Sequence, residues 1–107
     1  MAEYLQVITT LDNLDKAEEM AKELVKSGYA SCVQISAKIR SIYKWKGKIE
    51  ESDEYYLVVK TTEDLYNNVE ELIKAHHNYE LPEIIALKIE RGYEPYLNWI
   101  REQVISK

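Results

Sequence analysis

A long predicted β-hairpin spanning residues 30–61 constrains this chain more than any other feature. Over residues 33–40 apolar and polar side chains alternate, a period of two that is typical of a half-buried strand. The second arm ends in residues 55–59, a run of aromatic and β-branched side chains that favours a strand. Gly47, between the arms, permits the backbone angles of a tight turn. The sequence therefore predicts two antiparallel strands that turn at residues 45–48.

The arms of this hairpin are long for the size of the chain. Each holds fifteen residues, 30–44 and 47–61, and would extend about 50 Å at ~3.3 Å per residue, whereas a domain of this length is only about 35 Å across. The apolar spacing slips from two to three between Ile39 and Ile42, as a β-bulge would cause. Either the arms bend, or the tip rests on another copy of the chain, because it carries four apolar side chains that would otherwise be exposed: Ile42, Tyr43, Trp45 and Ile49.

Two amphipathic helices flank the hairpin. The first begins at Asp12 or Asn13 as N-cap and ends at Gly28 as C-cap. Its apolar stripe comprises Leu14, Ala17, Ala21, Leu24 and Val25. The second begins at the threonine pair 61–62 and has basic side chains in its last turn, including His77. Its stripe comprises Leu65, Val69, Leu72 and Ile73.

The remaining segments complete one domain, residues 1–107. Strands are predicted over residues 4–10 and 83–91, and Pro95 fits the first turn of a last helix. The order is β-α-β-β-α-β with an added C-terminal helix, which is the α+β class with the ferredoxin-like split βαβ topology and helices on one face of the sheet. The other face would be bare in a monomer, which is a second reason to expect association.

The charge and composition exclude several functional classes. With 14 basic and 19 acidic residues, the net charge of −5 argues against a nucleic-acid-binding surface. No apolar run approaches the ~20 residues of a membrane span, and no basic-then-apolar leader opens the chain. The single cysteine, Cys32, excludes an intrachain disulfide and favours a reducing, cytoplasmic location.

A few side chains could carry chemistry, and each also has an ordinary structural explanation. Cys32 is either a small buried hydrophobe or a soft metal ligand and reactive thiol helped by Lys60. His77 is either a solvated imidazole or, with Tyr79 and Glu83 across a short loop, part of a nitrogen and oxygen donor set suited to copper or zinc. The neighbouring His76 would point about 100° away on a helix and cannot share that ion.

The acidic run formed by Glu50, Glu51, Asp53 and Glu54 is either a solvated strand edge or a weak attractor of cations. The chain has no closely spaced histidine or cysteine pair, so we expect any metal site to be weak or shared between chains. It also has no nucleophile–histidine–acid set and no phosphate-binding glycine loop. The sequence therefore favours a binding protein over an enzyme.

Several short motifs together resemble one family, the CutA family of divalent-cation tolerance proteins. The resemblance spans essentially the whole chain and is carried by the motifs Ala30-Ser31-Cys32-Val33, Tyr43-x-Trp45-x-Gly47-Lys48-Ile49-Glu50, Glu54 leading to Lys60-Thr61-Thr62, His76-His77-Asn78-Tyr79, Pro82-Glu83-Ile84 and Tyr96-Leu97-x-Trp99. Two positions depart from the family pattern: Asn78 stands where proline is common, and Gln34 where asparagine is frequent.

This resemblance implies a homotrimer assembled through the long hairpin, with a role in tolerance to divalent cations, chiefly Cu²⁺, and no required cofactor. It implies an intersubunit cleft formed by Cys32, Trp45, Lys60, His77, Tyr79 and Glu83, with His77, Glu83 and Cys32 as the metal ligands. The family's trimer also resembles that of PII-type signalling proteins. An effector-binding or scaffold protein, with only an indirect effect on metals, is therefore the alternative function.

Overall fold

The computed structural model describes residues 3–106. These residues form five strands, one 3₁₀ turn and three α-helices, in the order β1 (Tyr4–Leu11), α1 (Leu14–Lys26), β2 (Cys32–Ile35), β3 (Ile39–Trp45), β4 (Lys48–Thr62), the 3₁₀ turn (Glu63–Leu65), α2 (Tyr66–His76), β5 (Ile85–Ile89) and α3 (Glu94–Gln103). The predicted alternation of strands and helices is confirmed.

One antiparallel sheet contains all five strands. Its order is β2-β4-β1-β5, with β3 paired to the outer half of β4. The strand β4 runs without interruption for 15 residues. Its inner half lies between β1 and β2, with Lys60 opposite both Gln6 and Cys32. The central strand of the sheet is therefore also one arm of the hairpin.

The hairpin turns where the sequence predicts. Trp45 and Lys48 face each other across two residues with positive φ, Lys46 at 50° and Gly47 at 81°. Two positive φ values in a two-residue loop are the pattern of a type I′ turn, whose twist matches that of paired strands.

The first arm contains the predicted bulge, but at an earlier position. Ile35 pairs with Leu57 and Ile39 pairs with Glu54, so three residues on the first arm oppose two on β4. This extra residue lies at 36–38 and not between positions 39 and 42, where β3 is regular. Ser36 holds the break in place, because its hydroxyl accepts a hydrogen bond from the Tyr56 N–H at 2.8 Å.

The first helix begins where predicted and ends one residue early, because Ser27 is the C-cap and Gly28, with a φ of 78°, follows it. Asn13 is the N-cap, and its Oδ1 accepts a hydrogen bond from the Lys16 N–H at 2.9 Å. The predicted apolar stripe was partly wrong, because Leu14 and Val25 are exposed at 42% and 45%. Met20, which the stripe omitted, is buried with Ala17, Ala21 and Leu24.

The second helix differs at its ends from the prediction. Thr62 precedes the 3₁₀ turn, but its hydroxyl makes no capping hydrogen bond. The hydroxyl of Thr61 instead donates to the Tyr29 carbonyl at 2.6 Å. His77 lies just beyond the helix in extended conformation, not in the last helical turn. This difference matters because the extended backbone carries the following loop away from the helix axis.

The two faces of the sheet are covered differently. The core lies between one face and the first two helices, and it contains Leu5, Val7, Leu11, Leu57 and Val59 from the sheet. Residues of opposite parity, which include Gln6, Ile8, Val58, Ile85 and Leu87 by register, form what we call the open face.

The expectation that the other face would be bare is wrong at one end of the sheet. The Arg101 side chain in α3 donates to the Tyr4 hydroxyl at 3.3 Å, and Tyr4 belongs to the open face. Ile100, one position earlier, is fully buried outside the main core cluster. The third helix therefore covers one end of the open face, and the edge strand β5 stays accessible, with Ile85 at 48% and Leu87 at 51% exposure.

The hairpin gives the chain an elongated shape of 44 × 25 × 23 Å. At its tip Ile42 and Ile49 are 67% and 73% exposed, as the length of the arms predicts. Their positions on paired strands place them on the same face of the hairpin, because Ile42 pairs with Glu51 and Lys44 with Ile49.

Gly28 provides a test of how the C-terminal segment is held against the end of α1. Its φ is +78°, and a Cβ there would lie 2.6 Å from Cγ2 of Ile105. We expect Gly28→Ala to cost more than the ~1–2 kcal/mol of left-handed strain alone, because the clash adds to it. Urea denaturation at fixed protein concentration should show part of this cost disappearing in an Ile105→Ala background. An equal cost in both backgrounds would contradict the proposed clash.

Candidate functional site

The loop between α2 and β5 passes over the end of β1, and His77 anchors it there. The His77 Nε2 lies 2.7 Å from the Thr10 carbonyl oxygen, which can only accept, so Nε2 carries the proton. The other ring nitrogen, Nδ1, then accepts from the Tyr79 N–H at 3.2 Å. Both ring nitrogens of His77 are therefore engaged within the chain.

Burial keeps this histidine neutral. Partial burial lowers the pKa of His77 and outweighs the Thr10 carbonyl and the charges of Asp12 and Glu54, which raise it. A neutral imidazole is also the form that the two hydrogen bonds require, because a protonated Nδ1 could not accept from Tyr79.

Tyr79 connects this loop to the centre of the sheet. Its hydroxyl donates to Oε2 of Glu54 at 2.5 Å, and its ring lies 4.7 Å from that of His77. Burial, together with the bond to Glu54, raises the pKa of Tyr79 far above its ordinary value, so the hydroxyl keeps its proton. Tyr79 can therefore act as a hydrogen-bond donor here but not as an anionic ligand at neutral pH.

Glu54 is the one member of the acidic run that the fold buries. Its exposure is only 6%, whereas Glu50, Glu51 and Asp53 are exposed. A buried carboxylate needs strong hydrogen bonds or a cation. Within residues 3–106 no lysine or arginine forms a salt bridge with it.

Glu83 lies close enough to Glu54 for the two carboxylates to repel each other. Partial desolvation raises the pKa of Glu83, and the charge of Glu54 raises it further. No salt bridge within the described residues compensates Glu83 either. We call Glu54 and Glu83, with the Tyr79 hydroxyl that donates to Glu54, the acidic pocket; a cation beside these two carboxylates would relieve their repulsion.

The predicted pair of Cys32 and Lys60 lies elsewhere on the sheet. The two residues face each other across β2 and β4, which confirms the expected proximity. The ammonium of Lys60 donates to Oε1 of Gln34 at 2.8 Å. Burial raises the pKa of Tyr96, and the nearby Cys32 raises it further.

Trp45, the last of the predicted cleft residues, lies at the hairpin tip. The Lys46 ammonium lies 5.7 Å from the centre of its ring. On β4, Lys48 and Lys60 each stand six residues from Glu54, which corresponds to about 20 Å. One chain therefore brings His77, Tyr79 and Glu83 to the surroundings of Glu54. It leaves Cys32 and Lys60 about 20 Å from Glu54 in one direction along β4, and Trp45 about as far in the other.

Two residues of the site were missed by the sequence reasoning. The sequence places Glu54 in the acidic run and in the family motif that leads to Lys60, but nothing in the local pattern distinguishes it from Asp53 as a buried residue. Asp12 was considered only as a helix cap, but its Oδ1 accepts a hydrogen bond from Asn78 at 3.5 Å. Asn78 thus connects the loop after α2 to the residue that follows β1.

Within residues 3–106 no three side chains of histidine, cysteine, aspartate or glutamate converge as a metal-binding group. Two surface grooves, of about 530 and 240 Å³, share Ala75 and His76 in their walls and lie away from the acidic pocket. No helix in the described part of the chain is long and apolar enough to cross a membrane.

Comparison with known sequences identifies the family. The profile of the CutA1 divalent ion tolerance protein family matches residues 5–103. The divalent-cation tolerance protein CutA of Thermus thermophilus is 42% identical over 96 residues, which cover 90% of this chain and 93% of that protein. Mouse Protein CutA is 41% identical over 93 residues, covering 87% of this chain but 52% of its own length. The chain therefore spans about half of the mouse relative.

Solved structures agree with these sequence matches. The Thermus thermophilus divalent cation tolerance protein superimposes with a TM-score of 0.90 at 40% identity, covering 97% of this chain and 99% of its own. CutA1 from Oryza sativa gives a TM-score of 0.95 at 33% identity, covering 98% and 96%. The resemblance carried by the short motifs is thus confirmed: this chain belongs to the CutA1 family of divalent ion tolerance proteins.

Proposed function

We propose that this chain is a cytoplasmic, non-catalytic homotrimer of ferredoxin-like subunits that binds divalent cations, chiefly Cu²⁺, weakly in clefts between subunits. The observation that carries this proposal is the acidic pocket, in which Glu54 and Glu83 repel each other without a compensating cation. The name of the Thermus relative, a divalent-cation tolerance protein, supports a role in cation tolerance.

The proposed ligands on one subunit are Glu83 and His77. Glu83 is accessible at the surface, and a carboxylate oxygen with an imidazole nitrogen suits Cu²⁺. To bind metal through Nδ1, His77 would release the 3.2 Å hydrogen bond from Tyr79 while keeping Nε2 on Thr10. The loss of that bond offsets part of the metal binding energy and is one physical reason for weak affinity.

The third proposed ligand, Cys32, requires a second subunit. Because Cys32 pairs with Lys60, about 20 Å along β4 from Glu54, it cannot reach the ion bound by Glu83 in its own chain. A trimer built on the hairpin would supply Cys32 from a neighbour. The exposed apolar tip and the accessible edge strand β5 support such an assembly.

A second candidate function is a PII-like effector-binding or scaffold protein. It is favoured by Lys60, whose ammonium contacts the neutral Gln34 and forms no salt bridge within the described residues. An organic anion could bind this ammonium. If it also contacts Trp45, that residue must come from a neighbour, because Lys60 and Lys48 are twelve positions, or about 40 Å, apart on β4. Quenching of tryptophan fluorescence by the anion, but not by metal, would favour this function.

Copper titration tests the ligand assignment. We expect His77→Gln, Glu83→Gln and Cys32→Ser each to weaken Cu²⁺ binding roughly tenfold or more, as changes at metal centres commonly do. Equilibrium dialysis at pH 7 would measure the dissociation constant. His76→Gln is the matched control, because His76 is adjacent but bonded to the Leu72 carbonyl outside the pocket. Parent-like binding by the His77 and Cys32 variants would overturn the assignment.

The raised pKa of Glu83 predicts how Cu²⁺ binding changes with pH. A protonated carboxyl cannot ligate, so affinity should fall as the pH drops through the Glu83 pKa, which lies above the ordinary glutamate value. His77, with its lowered pKa, should stay neutral over the upper part of this range. Dialysis between pH 7 and pH 4 should therefore show a loss of affinity whose upper part, where His77 is still neutral, Glu83→Gln removes. The same pH profile in that variant would contradict the role of Glu83.

Sedimentation velocity tests the trimer. We expect the parent to sediment as a trimer at micromolar concentration and Ile42→Asp/Ile49→Asp to dissociate, because two charges would replace apolar side chains in the contact. Leu14→Asp is the control, since Leu14 is also exposed but lies on α1. A folded parent that sediments as a monomer would reject the proposed assembly.

A further inference from the structure

A stacked pair of aromatic side chains lies exposed on the last helix. The rings of Tyr96 and Trp99 have their centres 5.6 Å apart and are inclined by only 26°, and the two residues are 40% and 38% exposed. We call this pair the aromatic stack. Two rings held together in this way form a rigid apolar surface against which a third flat ring can pack. The metal site proposed above uses neither residue.

The helix α3 brings the aromatic stack to the β2 edge of the open face. Near the end of α3, Arg101 bonds to Tyr4 on β1, whereas Tyr96 lies close enough to Cys32 on β2 for Cys32 to raise its pKa. Ile100, four positions after Tyr96, is fully buried, so these two residues share the side of α3 that is turned to the sheet. The helix therefore crosses β4 and places the aromatic stack near Cys32.

A cation without a carboxylate partner stands on the same part of the open face. Lys60 is opposite Cys32 in the pairing of β2 with β4, which places their Cβ atoms about 5 Å apart. Its ammonium donates to the neutral Gln34 at 2.8 Å and forms no salt bridge within residues 3–106. Arg101 also forms no salt bridge among these residues. In a chain whose net charge is −5, two such cations beside one helix favour an anion here.

We infer that this end of the open face binds a planar aromatic anion, with its ring against the aromatic stack and its charged group on the Lys60 ammonium. The charge-assisted hydrogen bond from Lys60 holds the anion, and the ring contact selects flat aromatic molecules over aliphatic ones of equal charge. The inference rests on the second candidate function, an effector-binding protein, and names the chemical class of the effector. It uses residues of one chain, whereas a contact with Trp45 requires a neighbour.

Equilibrium dialysis of the full chain against small probes tests this inference. The probe 2-naphthoate has both the ring and the charge, 2-naphthalenemethanol has the ring alone, and cyclohexanecarboxylate has the charge alone. We expect 2-naphthoate to bind roughly tenfold more tightly than either of the others. Lys60→Gln should weaken 2-naphthoate binding about tenfold, because a charged hydrogen bond is lost. Trp99→Leu should weaken it about threefold to tenfold, because an aromatic contact is lost.

The matched controls are Lys22→Gln, at an exposed lysine of α1, and Tyr93→Leu, at an exposed tyrosine that stacks on no other ring within the described residues. Both should bind 2-naphthoate as the parent does. Far-UV circular dichroism establishes that each variant folds, and Tyr96→Leu tests the aromatic stack independently of Trp99.

The inference is overturned if 2-naphthoate binds no better than cyclohexanecarboxylate, or if both variants of the aromatic stack bind it like the parent. In either case, binding that Lys60→Gln alone weakens would still support the effector-binding function. Parent-like binding by Lys60→Gln would reject that function together with the inference. The proposed binding of Cu²⁺ does not depend on these results, because its ligands are different residues.

Discussion

Backbone pairing along the single strand β4 organises everything else in this molecule. Its inner half pairs with β1 and β2, and its outer half pairs with β3. Because a paired strand is nearly straight on this scale, positions along β4 fix how far apart side chains can lie. The pairing therefore builds the core and at the same time extends the hairpin beyond it, which separates the tip from the pocket of the same chain.

The same strand places a carboxylate where water is scarce. Glu54 is almost fully buried, and the Tyr79 hydroxyl is the one hydrogen-bond donor described for it. Burying a carboxyl group beside a single neutral donor costs free energy. The histidine bonds to Thr10 and Tyr79 hold that donor in place. The local chemistry is therefore arranged to tolerate an unpaired carboxylate.

The elements that local sequence determines were predictable. Alternating apolar and polar residues predict the strands, Asn13 predicts the helix cap, and Gly47 predicts the turn. The slip in apolar spacing predicts a bulge, which the structure places a few residues earlier. The pocket was harder, because its contacts join residues far apart in the chain: His77 bonds to Thr10 across 67 positions, and Tyr79 to Glu54 across 25. Periodicity reports which face a side chain takes, but not which distant loop will cover it.

The distances from Glu54 to Cys32, Lys60 and the hairpin tip are fixed by strand pairing. Motifs that resemble one family predicted a single cleft, yet one chain holds Cys32 and Lys60 about 20 Å from Glu54 on one side and the hairpin tip about as far on the other. Spacings set by hydrogen-bonded β4 cannot contract without breaking the sheet. A cleft that uses all these residues must therefore draw them from different copies, and assembly would then be a precondition for binding.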